Sequence, residues 1–419
     1  MVSSARNIAR LEPAMAIEIR PARGDELDQL GLLTSYVYGG AFGDGPDNLP
    51  AQSQRPEWTL CAFDGAKMVS SFSTFPFTMR ANGKATALGG VSVVGTLPEY
   101  RRRGLVRKIT TQAFADMREK GQSVAALWAS QAAIYQRYQY ALATQLRHYS
   151  IDTVDIAFHD DDGGSSRVIR TDVTAGLDVI REIYKTFIAD KTCYLHRARV
   201  MWSNNALQPS EQDGPVEVAV CYDTTDTPCG YVVYTLRSGQ VNHEARSQEI
   251  KVRDLAWLTP DAYRSLWSFL ARHDLVGRVT WDSAPLDDPA MEYFREPRML
   301  HTRDNEGIWL RVVDVAPALE GRGYDTSAKI VIGIADDSLT PWNGGSYELE
   351  VSPTEARVSK SDATPDVVLS LKTLASLYCG FRRARDLAHW GYLEGSEGAI
   401  AKASQIFATR HAPHCPDHF

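Results

Sequence analysis

One stretch does most to limit what this chain can fold into. Gly90-Val91-Ser92-Val93-Val94 is a β-branched run, and Tyr100-Arg-Arg-Arg-Gly-Leu-Val-Arg-Lys-Ile-Thr-Thr111 follows it. The run reads as a strand, and Leu105, Ile109, Phe114 and Met117 recur behind the turn at helical spacing. Strand, basic glycine turn and helix in that order make an anion site. The first-turn N–H groups point at the ligand, and the macrodipole favours negative charge there. Gly104 lets the backbone approach closely, Arg101, Arg102, Arg103 and Arg107 are charge-assisted donors, and Leu105 and Val106 open the helix. The Lys-Ser/Thr ending of a P-loop is missing, as is the second glycine spacing of a dinucleotide fingerprint. A solvated basic helix start has the same composition, so the turn alone leaves that reading open.

At 419 residues the chain has room for two to four domains. Its net charge of −7 argues against a general nucleic-acid binder and suits a cationic small partner. No apolar run approaches membrane-spanning length, and residues 1–13 lack the apolar core of a secretory signal. The residues before Met15 read as a disordered leader. Six cysteines without CxxC spacing fit buried thiols in a reducing cytoplasm. His411, His414, Cys415 and His418 match no zinc pattern, so no metal is expected.

Taken in order, residues 16–153 alternate strands with amphipathic helices: a strand at 17–20, a helix at 25–37, strands at 58–63, 69–79 and 87–96. The helix at 104–120, a strand at 123–130 and a helix at 132–138 complete the unit. A second α/β pattern follows, with helices at 175–189, 195–205 and 260–273 and strands at 216–222, 230–237, 249–257 and 278–281. Thr259 is its expected N-cap, and Pro260-Asp261-Ala-Tyr-Arg stands where the first unit has its arginines and glycine. That substitution predicts a second copy unable to hold a pyrophosphate. From Gly307 an α+β pattern begins with the strand 308–313. The boundaries expected are 1–160, 161–304 and 305–419.

Arg-x-x-Gly-x-Val in the basic turn resembles the pyrophosphate loop of GNAT-type N-acetyltransferases, with Val106 where a small residue is usual. Three further segments carry the likeness along nearly the whole chain. They are Ala129-Ser130-x-x-x-Ile134-Tyr135-x-Arg137-Tyr138-x-Tyr140, the run 309–324 and the terminal Phe419. Together they resemble the Eis (enhanced intracellular survival) family of aminoglycoside N-acetyltransferases. The resemblance implies an α/β (α+β) fold class: two tandem GNAT-like mixed-sheet folds, then a sterol-carrier-protein-like domain. It implies a cytoplasmic homohexamer that moves acetyl from acetyl-coenzyme A (acetyl-CoA) to amines. Val94, Gly95 and Thr96 would meet the pantetheine arm, with Ser130 and Gln131 at the mouth of the same gap. Tyr135 would be the general acid and the α-carboxylate of Phe419 the base.

That pairing is chemically coherent. An attacking amine must lose a proton, and a leaving thiolate benefits from gaining one. Spacing alone fits Tyr135 equally well as a packing residue of an aromatic cluster. Phe42, Asp44 and Trp58 are expected to line the amine pocket, with Asp417 adding charge. Val93 stands where familiar members carry an aromatic, which implies a differently shaped pocket. Two other readings stay open: a lipid- or partner-binding protein with a relic GNAT domain, and an acetyltransferase for protein lysines or polyamines.

Overall fold

The structure, a computed structural model, describes residues 16–40, 54–159, 163–209 and 213–419. The expected leader and the pocket residues Phe42 and Asp44 lie outside them. The chain divides into two compact units, Met1–Pro76 with Gly90–Glu119, and Phe77–Gly89 with Lys120–Phe419.

The first unit holds β1 (Glu18–Arg20), α1 (Leu27–Val37) and β2 (Cys61–Asp64). It also holds the start of β3 (Lys67–Ala81), the end of β4 (Lys84–Thr96) and α2 (Leu105–Glu119). The β3–β4 hairpin turns at Asn82-Gly83, both with positive φ (47° and 89°), the conformation this dipeptide favours. α2 buries Leu105, Ile109, Phe114 and Met117, the stripe its spacing predicts, together with Thr110 and Ala113.

The second unit continues with β5 (Val124–Trp128), α3 (Ala132–Gln136), β6 (Ala141–Leu142), β7 (Gln145–Asp152) and β8 (Arg167–Thr171). Next come α4 (Val173–Phe187), α5 (Arg199–Asn204), β9 (Val216–Tyr222), β10 (Pro228–Arg237) and β11 (Gln248–Trp257). Then follow α6 (Pro260–Ala271), β12 (Val276–Ala284), α7 (Ala290–Tyr293), β13 (Arg303–Glu306) and β14 (Ile308–Val312). The last part is α8 (Val315–Glu320), β15 (Ala328–Ile334), β16 (Gly345–Val351), β17 (Ala356–Ser361) and β18 (Val367–Leu369). It ends with α9 (Leu371–Tyr378), α10 (Ala384–His389), β19 (Leu393–Gly395) and α11 (Glu397–Ile406).

Three sheets result, ordered β1-β2-β3-β4-β5-β14-β6, β13-β7-β12-β11-β10-β9-β8 and β17-β16-β15-β18-β19. Two strands sit away from their sequence neighbours. β7, which follows the first α/β pattern, pairs antiparallel with β12 of the second sheet. β14, expected to open the third unit, instead pairs antiparallel with β5, from Ile308 opposite Trp128 to Val312 opposite Val124. Both crossings occur at one place. The Thr144 carbonyl and hydroxyl accept the Gly307 and Ile308 N–H groups at 2.9 Å each, and a side chain at 307 would collide with that hydroxyl. A β-branched run announces a strand but not which open edge will pair it.

The expected helix at 195–205 is shorter than its pattern suggests. Leu195 runs extended against Met79, with Cys193 N–H on Arg80 O at 2.7 Å, so helix begins only at Arg199. In the C-terminal part, Ile330, Ile332, Leu349, Leu374, Leu377 and Ile406 fill the interior. Arg322 is fully buried there, and among the described residues no carboxylate pairs with it. Its guanidinium donates to the Tyr378, Gly323 and Phe407 carbonyls (2.8, 2.7 and 2.7 Å), closing the ends of α9 and α11.

Candidate active site

In the first unit, β4 is kinked at Val93, a buried β-branched residue with φ 47°. Such strain persists only where surroundings enforce it. Here Ser71 Oγ donates to the Val93 carbonyl (2.6 Å), Tyr38 Oη to Val94 (2.9 Å) and Ser70 Oγ to Gly95 (2.8 Å). Arg101 Nε donates to the Thr96 carbonyl at 3.1 Å. Gly95 is closely packed, since a Cβ there would lie 2.8 Å from Leu33 Cδ2 and push that side chain aside.

The basic turn has two left-handed residues, Arg102 (φ 62°) and Gly104 (φ 75°). Nothing lies within 4 Å of where a Gly104 side chain would begin, so the backbone angle, not space, calls for glycine. Lys108 N–H reaches the Gly104 carbonyl at 3.1 Å, which places Gly104 at the helix cap with no side chain to close it. Leu105 turns into the core and Val106 is half-buried, while Arg101, Arg102, Arg103 and Arg107 are exposed. The first turn of α2 carries no acidic residue. Exposed guanidiniums around an uncapped helix start are a donor set that fits a pyrophosphate. Trp58, half-buried, packs edge-on to Phe75 at 5.6 Å with Arg55 over its face.

In the second unit, Ser130 and Gln131 are exposed just after β5. Tyr135, on α3, is buried and meets the buried Tyr140 edge-on at 6.1 Å. Burial pushes the Tyr140 phenol pKa up, so it stays protonated.

Chain ends usually fray, but residues 409–419 are pinned along their length. Arg410 N–H donates to Asn82 Oδ1 (3.1 Å), and His411 sits between Asp190 (3.2 Å) and Asp287 (3.3 Å). His414 N–H donates to the Thr192 carbonyl at 3.0 Å, and burial pushes its imidazole down to about 4. Trp128 Nε1 donates to the Asp417 carbonyl at 3.0 Å, and its ring stacks on His418 at 4.1 Å. His418 N–H reaches Asn205 Oδ1 at 2.8 Å, and the Phe419 ring lies edge-on to Phe77 at 5.1 Å.

Asp417 itself corrects an expectation. Its side chain is 0% exposed and bound to Arg197 Nε at 2.7 Å, so it offers no charge to an amine pocket. Burial raises its carboxyl to about 6, against the pull of Arg197. Arg197 also holds the buried Asp254, which accepts from Tyr231 Oη at 2.7 Å. The guanidinium lies between the Tyr184 (4.0 Å) and Trp202 (4.6 Å) rings. No local spacing announces Arg197, Asp254 and Trp128, because their partners lie far apart along the chain.

Residues 18–143 and 193–312 each match an acetyltransferase (GNAT) domain family, and residues 315–416 match a sterol carrier protein domain. The chain is 30% identical over 377 residues to an uncharacterised N-acetyltransferase of Streptomyces avermitilis, covering 87% of this chain and 89% of that one. It is 29% identical over 306 residues to the N-acetyltransferase Eis of Mycobacterium tuberculosis, covering 71% and 72%. The crystal structure of Eis1 from Mycobacterium abscessus superposes with a TM-score of 0.81 at 25% identity, over 96% of this chain and all of that one. Two GNAT copies followed by a sterol-carrier unit are the build of an acetyl-transferring enzyme, and GNAT acetyltransferases draw on acetyl-CoA. The chain belongs to the Eis family of N-acetyltransferases. Among the described residues no helix is long and apolar enough to cross a membrane.

Proposed function

We propose that this enzyme acetylates amines of a cationic, aminoglycoside-like small molecule, with Tyr135 as general acid and the α-carboxylate of Phe419 as base. The observation that carries the reading is the docked tail, which holds the last residues by backbone, ring and carboxylate contacts. Acetyl-CoA supplies the acetyl thioester when bound. On this reading Arg101, Arg102, Arg103, Arg107 and the N–H groups opening α2 hold its pyrophosphate. Val94, Gly95 and Thr96 line the pantetheine arm, and Ser130 and Gln131 flank it. An α-carboxylate is ionised at neutral pH and accepts the proton the amine must lose. The phenol of Tyr135 donates to the departing sulfur. The chain's net charge of −7 favours a cationic acceptor, with Trp58 as one pocket wall. Family resemblance extends the proposal to a homohexamer in the cytoplasm.

A thiol-release assay with acetyl-CoA against aminoglycosides, spermine and lysine peptides tests the substrate class, and fastest turnover of a peptide would overturn it. Deleting Phe419 should lower kcat by about 10²–10⁴-fold, with acetyl-CoA affinity within about twofold. Full speed after that deletion would remove the base, and a full-speed Tyr135→Phe would remove the acid.

A further inference from the structure

We propose that Arg197, Asp417 and Trp128 form a buried clamp that positions the chain end for proton transfer, a role that rests on the Phe419 α-carboxylate being the base. Asp417 stands two residues before Phe419. Neighbouring Cα atoms are about 3.8 Å apart, so fixing one residue confines the other. The clamp grips Asp417 twice, its carboxylate from Arg197 and its carbonyl from Trp128 Nε1. The next residue is held twice more, its N–H by Asn205 and its ring by the Trp128 indole. Arg197 cannot swing away, because Asp254 takes its other edge and the Tyr184 and Trp202 rings enclose it.

This is an expensive way to dock a tail. Apolar side chains fill an interior at less cost than one arginine with two carboxylates, so a buried ion cluster points to fixed geometry more than to stability. Among the described residues Asp417 Oδ2 meets no hydrogen-bond partner, and Arg197 holds the carboxylate through Oδ1. Trp128 adds a second link. It ends β5, after which the chain turns directly into α3 and Tyr135. One indole therefore ties the segment of the proposed base to the segment of the proposed acid.

The test compares full-length Asp417→Asn and Trp128→Phe with the Phe419 deletion, using the fastest amine of the panel above. Asp417→Asn should lower kcat by roughly 10–100-fold while KM for acetyl-CoA stays within about twofold, the signature of a misplaced group. Carboxypeptidase Y, followed by intact mass, should release Phe419 from Asp417→Asn faster than from the wild-type protein by about tenfold. Trp128→Phe keeps the aromatic stack and the ion cluster, so it should fold if Asp417→Asn does not, and lower kcat by about 3–10-fold. The clamp is overturned if the deletion is inactive while both substitutions run at full kcat with a protected tail. It is equally overturned if the folded variants change KM alone. An unchanged rate after deleting Phe419 would instead defeat the base, and the clamp with it.

Discussion

The two GNAT copies begin their corresponding helices, α2 and α6, in opposite ways. α2 starts at a glycine with no capping side chain, no acid in its first turn and exposed arginines around it. α6 starts at Thr259, whose hydroxyl accepts the Ala262 N–H at 3.1 Å, with Pro260 and the acidic Asp261 in the first turn. The Asp261 carboxylate is occupied by Ser165 N–H (2.9 Å), Ser166 N–H (3.0 Å) and the Ser166 hydroxyl. The preceding loop packs so tightly that any side chain on Gly164 would collide with Ser265. The parallel β11–β12 ladder runs from Gln248 opposite Val276 to Val252 opposite Trp281, although both strands run on. Tyr263 bridges the ends beyond, its ring 4.7 Å from Trp257 and its hydroxyl on Asp288 at 2.7 Å. In copy two its own loop, acid and tyrosine thus sit at the helix start and strand ends that correspond to those proposed to hold the cofactor in copy one.

Making copy one resemble copy two is the harshest test of this contrast. Gly104→Asp puts a carboxylate and a Cβ at a left-handed cap position, opposing the negative charge that the turn is proposed to receive. Charge-assisted hydrogen bonds are worth about 1.5–3 kcal/mol each, so acetyl-CoA affinity should fall by about 10²-fold or more. Titration calorimetry reads this directly, and unchanged affinity would show that the turn is not the pyrophosphate site.

How far the contrast was legible beforehand depends on how local its parts are. The α2 stripe, the Gly104 turn and the Thr259 cap rest on spacings of a few residues, and each stands where its pattern placed it. Tyr263 with Asp288, the Thr144–Gly307 crossing and the Arg197–Asp417 pair join residues widely separated in the chain. Their sequences show only ordinary polar or aromatic positions. Leu195 illustrates the same limit from the other side, because pairing with β3 overrode a helical spacing.

A second test concerns the plug in copy two. Asp288 is fully buried, and burial raises its carboxyl to about 6 even though Tyr263, the Ala290 N–H and Tyr149 donate to it. The ordinary value is about 3.9, so the folded chain binds this proton more tightly than the unfolded one. Stability from Asp288 is therefore fully present below about pH 4 and lost as pH rises through about 6, by at most about 3 kcal/mol. Asp288→Asn should flatten that slope in urea titrations between pH 4 and 7 without altering acetyl-CoA affinity. A slope identical to wild type would mean the plug is not what titrates.

The mildest test removes the acid that occupies the start of α6. Burial pushes the Asp261 carboxyl up, but hydrogen bonds from Ser166 and Ser165 outweigh it and hold the group below its ordinary range. The sign is then opposite to that of Asp288. Its contribution is present above about pH 4 and fades as pH falls through the lowered folded value. Asp261→Ala strips one first-turn acid and the tether of residues 165 and 166, at a cost of about 1–2 kcal/mol near neutral pH. On the reading that copy two holds no cofactor at this helix start, turnover with acetyl-CoA should stay at the wild-type rate. A kinetic defect in folded Asp261→Ala would show that copy two still takes part in the reaction, and the contrast between the two starts would have to be redrawn.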